Sequence, residues 1–184
     1  MKINEILVNL RDSRTAVLRS ARPEEAQAVL DLMHITSGET HFMARYPDEV
    51  VATLEKEIAY LTDQENSATS FQLCAIVDRK LVGLAGITPI STRRKMRHRA
   101  GFGTSILKDY CNCGLGTLML ETCLKYAKEA GYTQVELGVF DDNPRAIHVY
   151  EKLGFRRMGT IPRAFHLDDG TWHDEHQMIC FLEN

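Results

Sequence analysis

The sequence predicts an α/β fold of the α+β type, a mixed and mostly antiparallel sheet with one parallel crossover, in a single domain over residues 1–184. Three observations predict it. Strand-like runs with period two alternate with helix-like apolar stripes to the end of the chain, with no repeat or linker between them. Several neighbouring strand-like runs are joined by turns too short to hold a helix, which makes them antiparallel hairpins. One strand is followed by a long helix and then another strand, the order that gives a right-handed parallel crossover.

Taken in order, "EILVNL" and "TAVLRSA" read as two short strands around the polar turn "RDSR". In "RPEEAQAVLDLMHIT", Ala26, Val29, Leu30 and Met33 share one helical face, and Pro23 suits a first turn. A second helix is expected over "PDEVVATLEKEIAYLTD", with acidic residues in its opening turn, where the helix dipole favours them. "SFQLCAIVDRKLVGLAGITPI" is a hairpin about "DRK", and "HRAGFGTSIL" a fourth core strand. The long helix begins at Gly114, carries Leu115, Leu118, Met119, Cys123, Leu124 and Ala127 on its apolar side, and stops at Gly131. "QVELGVF" alternates Val135, Leu137 and Val139 as a half-buried strand does. "PRAIHVYEKLG" is a short helix between Pro144 and Gly154, and the tail is a hairpin about "DDG".

Composition narrows the class of function. An apolar fraction of 44% and a charged fraction of 26% are those of an ordinary globular domain, and a net charge of −3 argues against a dedicated nucleic-acid binder. No apolar run approaches a membrane span, and the first residues carry charges where a signal peptide needs an apolar block, so a soluble, cytoplasmic protein is expected, with no membrane partner. Five cysteines, mostly inside apolar patterns, suit reduced thiols. No metal is expected. The pair Cys111 and Cys113 has no second pair to complete a site, and His173 and His176 of "HDEH" point to opposite faces of a strand. The basic run Arg93 to Arg99 falls at a hairpin turn, where a solvated loop is the ordinary reading.

The informative stretch is "DYCNCGLGT". The first amides of a helix lack internal partners and sit at the positive end of its dipole, so a glycine-rich start lets anionic oxygens approach them. Gly114 and Gly116 equally permit a tight strand-to-helix turn, and position alone does not separate the two readings. A second stretch, "DDNPRAIHVYEKLGF", carries Asn143, Ala146, Tyr150, Gly154 and Phe155 as N-x-x-A-x-x-x-Y-x-x-x-G-F. Together with "CNCGLGT" after a strand, it resembles the GNAT superfamily of acyl-CoA-dependent N-acetyltransferases, whose core motifs are R/Q-x-x-G-x-G/A and this Asn-to-Tyr helix. The resemblance follows the order of elements from about Thr15 to Leu182 and is specific between His98 and Phe155.

The resemblance implies a GNAT-like sheet of about seven strands, helices on both faces, and a parallel pair that splays to admit acetyl-CoA as co-substrate. Backbone groups of Ser105, Ile106 and Leu107 would pair with the pantetheine arm. Amides of Asn112, Cys113, Gly114, Leu115, Gly116 and Thr117 would hold the pyrophosphate, and Asn143 would bond the pantetheine or simply cap its helix. Cys111 stands where the family has Arg or Gln and offers no charged donor, so a somewhat weaker hold on the cofactor is expected; an inert packed thiol is the other reading. An amide of Ile106 or Leu107 would polarise the thioester carbonyl. Tyr150 would give its proton to the departing thiolate, unless it is only a core aromatic.

The general base stays open among Glu39, His98 and a residue of the last hairpin, because Gly101 occupies the position where similar enzymes carry an acid. Glu39, Phe42, Arg45 and Tyr46, in the loop after the first helix, are candidates for lining the acceptor site or for packing the loop. The function implied is acetyl transfer from acetyl-CoA to a primary amine of a small molecule or peptide. The rival, favoured by Cys111 and Gly101, is a non-catalytic acyl-CoA-binding module. Relatives of this fold pair, so a homodimer is among the implications.

Overall fold

A computed structural model describes residues 1–182. Eight strands form one sheet: β1 (Ile6–Asn9), β2 (Thr15–Ser20), β3 (Phe71–Val77), β4 (Lys80–Pro89), β5 (Arg99–Ile106), β6 (Gln134–Phe140), β7 (Arg156–His166) and β8 (Trp172–Phe181). Their order across the sheet is β1-β2-β3-β4-β5-β6-β8-β7, with β8 inserted beside β6 and β7 at the edge. Four helices accompany them: α1 (Ala26–Glu39), α2 (Leu54–Asn66), α3 (Leu115–Glu129) and α4 (Pro144–Lys152). The sheet has one strand more than the resemblance implied, because even the four-residue β1 pairs fully with β2. Among the described residues no helix is long and apolar enough to cross a membrane.

Helices cover both faces. On β4, the space beside Gly83 is filled by Met119 of α3, and the space beside Gly86 by Gln72, which accepts a hydrogen bond from Tyr60 of α2. Positions 83 and 86 differ by an odd number, so they face opposite sides of the pleat. The core runs through the sheet. Phe71, Leu73, Leu18 and Ile87 from the strands, Leu61 from α2, and Leu115, Met119 and Leu120 from α3 are all inaccessible or nearly so.

Two helices differ from expectation. α2 begins at Leu54 rather than near Pro47. Pro47–Glu49 forms only a 3-10 turn, closed by the Tyr46 N–H donating to Glu49 Oε2 at 2.7 Å. The β-branched Val50 and Val51 then interrupt, and Thr53 caps the true start by accepting from the Lys56 N–H at 3.4 Å. The acids in its first turn are therefore Glu55 and Glu57, not Asp48 and Glu49. In α3, Leu120 is buried while Leu118 and Leu124 are half-buried, because β3, β4 and β5 all pack against the helix and cover more than one narrow stripe. α3 closes at Gly131, with φ +87°, and α4 at Gly154, with φ +90°.

The parallel pair positions everything that follows. Only Arg99–Gly101 of β5 and Gln134–Glu136 of β6 are in register, and Arg99 donates from Nε and Nη2 to Glu136 Oε1 and Oε2 at 2.6 and 2.7 Å. Beyond Gly101 the strands part. On its other edge β5 stays paired with β4 to Ile106, with the Arg99 carbonyl accepting from Ile90 and the Leu107 N–H donating to Val82. In an antiparallel ladder the bonds to one neighbour alternate along the strand. The odd-numbered residues of β5 thus bond to β4 and the even-numbered ones face β6; the Gly101–Glu136 pairing takes up the Phe102 N–H, and beyond it the Phe102 carbonyl and the N–H and C=O groups of Thr104 and Ile106 turn toward the gap.

Deleting the Phe71 side chain removes a large, inaccessible group from the centre of the sheet. Phe71→Ala is expected to cost about 3–5 kcal/mol in urea unfolding, whereas Leu7→Ala, at a side chain 73% exposed, changes stability by less than about 0.5 kcal/mol.

Candidate active site

The parted strands open a cleft of about 990 Å³. β5 forms one wall, β6 and α4 the other, the start of α3 one end, and the loop after α1 with β8 the opposite end.

At the α3 end the backbone is shaped by two left-handed residues, Asn112 at φ +63° and Gly114 at φ +88°. Asparagine and glycine are the residue types that adopt this region at least cost. α3 has no side-chain cap, so the amides of Leu115, Gly116 and Thr117 have no intrahelical acceptor. Asn112, Gly114, Gly116 and Thr117 line the cleft, whereas Cys113 and Leu115 put buried side chains into the core behind it. The Cys113 thiol donates to the Tyr110 carbonyl at 3.0 Å.

Cys111 lines the same end. Burial pushes its thiol up, with Arg145 close enough to oppose the shift. That arginine carries the charge Cys111 lacks. Arg11 supplies more: its N–H donates to the Cys113 carbonyl at 2.9 Å, and its side chain lies 3.4 Å from where a Cβ on Gly114 would be. Lys152 joins them at the cleft. None of the three stood out as a site residue in the sequence. Arg145 and Lys152 stand in the Asn-to-Tyr helix itself, but Arg11 belongs to a turn that nothing local connects to α3.

Ser105 and Ile106 line the middle of the cleft, while the Leu107 side chain is buried. Of the three residues expected to offer backbone to a ligand, only Ile106 faces the gap, since Ser105 bonds to β4, the Leu107 N–H donates to Val82 and the Leu107 carbonyl accepts from the Tyr110 N–H. Thr104 and the carbonyl of Phe102 are the further open positions. Tyr150 of α4 meets the Phe102 ring edge-on at 6.3 Å and Phe155 at 5.8 Å. Its hydroxyl has no protein partner among the described residues, and burial pushes the phenol up to about 12, so it is neutral at physiological pH. Asn143 caps α4, its Oδ1 accepting from the Ala146 N–H at 3.2 Å, and also lines the cleft.

At the opposite end, Phe42 and Arg45 line the cleft; Glu39 and Tyr46 do not. Glu39 accepts from the Lys108 N–H at 2.8 Å, just past the end of β5. The Tyr46 hydroxyl accepts from the Asp168 N–H at 2.7 Å and ties the loop to the β7–β8 turn. His98 lies in the turn before β5, its carbonyl accepting from Thr133, and does not line the cleft.

The carboxylates that do line it are Glu57 and Glu175. Glu175 fills the space a side chain at Gly138 would need, which only glycine leaves free, and its Oε2 accepts from Gln177 at 2.5 Å. Arg45 and Glu57 are close enough to feel each other's charge yet form no ion pair. The Arg45 Nε is buried without a partner among the described residues. Burial pushes the Glu57 carboxyl up, with Arg45 opposing. This pair of desolvated, unsatisfied charges fits a ligand that brings charges of its own.

A family model described as "Acetyltransferase (GNAT) family" matches residues 39–155. Over 111 residues the chain is 32% identical to the L-amino acid N-acetyltransferase AaaT of Escherichia coli (strain K12), covering 58% of this chain and 65% of that protein. Over 84 residues it is 29% identical to N-acetyltransferase 8B of Homo sapiens, covering 45% of this chain and 37% of that protein. The chain thus spans less than two thirds of the length of these curated relatives. Among solved structures, the acetyltransferase of GNAT family from Streptococcus pneumoniae superposes with a TM-score of 0.87 at 29% identity, over 90% of this chain and 99% of that one. The structure of yncA from Salmonella typhimurium with its cofactor acetyl-CoA superposes with a TM-score of 0.80 at 16% identity, over 92% and 95%, a likeness of fold.

Two substitutions probe the two ends. Gly114→Ala forces a Cβ into the left-handed region at a cost of about 1–2 kcal/mol, and Gly114→Asn is expected to cost less; thermal melts compare them. The raised Glu57 carboxyl favours folding fully below the ordinary carboxylate range, and that contribution is lost as pH rises through the folded value. Glu57→Gln is therefore expected to raise the melting temperature at neutral pH and leave it unchanged in acid.

Proposed function

This chain belongs to the GNAT acetyltransferase family, and from that premise we propose that it transfers an acetyl group from acetyl-CoA to the primary amine of a small molecule that also carries a carboxylate. The single observation that carries the reading is one cleft joining an uncapped, cation-ringed helix start, an unpaired strand edge, a neutral phenol and an unengaged pair of charges.

The residues present fit the co-substrate. The amides of Leu115, Gly116 and Thr117, with Arg11 and Arg145 near them, suit a pyrophosphate and offset the missing charge at Cys111. The open edge of β5 suits the amide groups of a pantetheine arm as an added strand. When bound, acetyl-CoA supplies an activated acyl group on a thiolate leaving group.

The chain's own groups then divide the work. The Thr104 N–H, the first unpaired main-chain donor past the stitch to β6, is the one best placed to polarise a carbonyl in the gap. Ile106 lies farther along, and the Leu107 N–H is already bonded to Val82. Tyr150 holds a proton on its hydroxyl for the departing sulfur, and its raised pKa keeps that proton available. Glu175, from the last hairpin, receives the proton of the attacking amine directly or through water. Arg45 binds the acceptor's carboxylate, which completes the unpartnered guanidinium. The relative's action on L-amino acids supports this choice of acceptor.

A thiol-release assay over a panel of amines tests the proposal. Amino acids and their carboxylate-bearing analogues are expected to be acetylated in preference to polyamines. Tyr150→Phe is expected to lower kcat about 100-fold or more with CoA affinity unchanged, and Glu175→Gln to lower kcat most at the acid side of the pH profile. Arg45→Met is expected to raise the acceptor KM and leave the acetyl-CoA KM alone. Tight CoA binding without turnover of any amine would overturn the enzyme reading in favour of an acyl-CoA-binding module.

A further inference from the structure

Beside the acceptor end, three side chains from distant parts of the sequence meet outside the cleft. His41 comes from the loop after α1, Asp142 from the turn between β6 and α4, and His173 from β8. His41 Nε2 lies 2.8 Å and His173 Nδ1 3.2 Å from the same oxygen, Asp142 Oδ2. All three donor atoms fall within 4.8 Å of one another. His176 has no part in this: it faces the other way, against Arg157 and Thr160.

The hydrogen bonds around His173 expose an electrostatic conflict. The Thr171 hydroxyl donates to Asp169 Oδ1 at 2.6 Å, so toward His173 Nε2, 3.2 Å away, it can only accept. The Nε2 position therefore carries the proton, and in the neutral ring Nδ1 presents a lone pair. That lone pair faces a carboxylate oxygen. Two electron-rich atoms at this separation repel unless a proton or a metal cation lies between them.

We infer that His41, Asp142 and His173 form a site for a divalent transition-metal ion, with zinc as the fitting case. Two imidazoles and one carboxylate are a donor set for zinc and its neighbours, not for magnesium or calcium. Tetrahedral zinc holds such donors roughly 3.3 Å apart, which matches the separation from His173 and requires the shorter one from His41 to widen. Thr171 acts as the outer partner that fixes the ligand tautomer of His173. Phe42 and Phe140 wall the cluster from the cleft, with their ring centroids 4.2 and 5.7 Å from that of His41. The exposed side leaves a coordination position to water.

The ion would be structural. His41 precedes Phe42 and Arg45 on the acceptor loop, Asp142 precedes Asn143, and His173 stands two residues before Glu175, so one ion pins all three segments together. The inference does not depend on the acetyl-transfer reading.

The test uses the full, tag-free chain stripped of metal with a chelator. Cobalt(II) titration followed by its visible d–d bands, and zinc titration by calorimetry, are expected to show about one ion per chain, with a higher melting temperature in zinc. His173→Ala and Asp142→Asn are expected to abolish binding while retaining CoA affinity, which certifies their folding; His176→Ala binds as the wild type does. Absence of stoichiometric binding to CoA-competent wild type would overturn the inference. So would undiminished binding by the two variants, or histidine NMR showing that His173 shares a proton, not an ion, with Asp142.

Discussion

Main-chain N–H and C=O groups removed from solvent need partners, and past the Phe102 N–H the β5 strand has none on one edge. The three-residue stitch to β6, braced by Arg99 and Glu136, holds the strands together at one end only. The divergence that follows is the constraint on which the molecule depends. It creates the cleft, aims the backbone of Thr104 and Ile106 into it, and sets the unpaired edge of one strand opposite the helix that bears Tyr150. An extended ligand with alternating amides satisfies that edge in the way a neighbouring strand satisfies any other.

The same logic of unmet partners runs to both ends of the cleft. At the start of α3, left-handed Asn112 and Gly114 leave helical amides uncapped among arginines. At the far end, Arg45 and Glu57 are drawn from water without pairing with each other. Each costs stability in the free protein, and each marks a place where a ligand atom of the right charge recovers it.

What the sequence made legible was local. Val135, Leu137 and Val139 alternated and are buried in β6, where Phe140 is buried beside them, and Gly131 and Gly154 ended helices where they were expected to. The two motifs near Gly114 and Asn143 led to a single cleft because a parallel crossover must bring consecutive strand ends together. The illegible parts depended on contacts between distant segments. Arg11 over Gly114, Glu175 over Gly138, and His41 against Asp142, 101 residues away, leave no periodic trace in the chain. The start of α2 was misread for a different reason. Proline followed by acids is a sound start signal, but Val50 and Val51 broke the run and Thr53 offered a better cap. The backbone register of β5 could not be read either, since alternation shows which side chains share a face and not which neighbour each amide bonds.

The measurement that bears most directly on the diverging strands is amide hydrogen exchange, followed by NMR, at Thr104 and Ile106 with and without coenzyme A. Rapid exchange is expected at these two positions in the free protein, strong protection once the ligand is bound, and little change at Ser105 and Leu107, which β4 already protects, or at Phe102, which the stitch to β6 protects. Protection of the two amides before any ligand is added, or none after saturation, would contradict the divergence as the source of the binding edge.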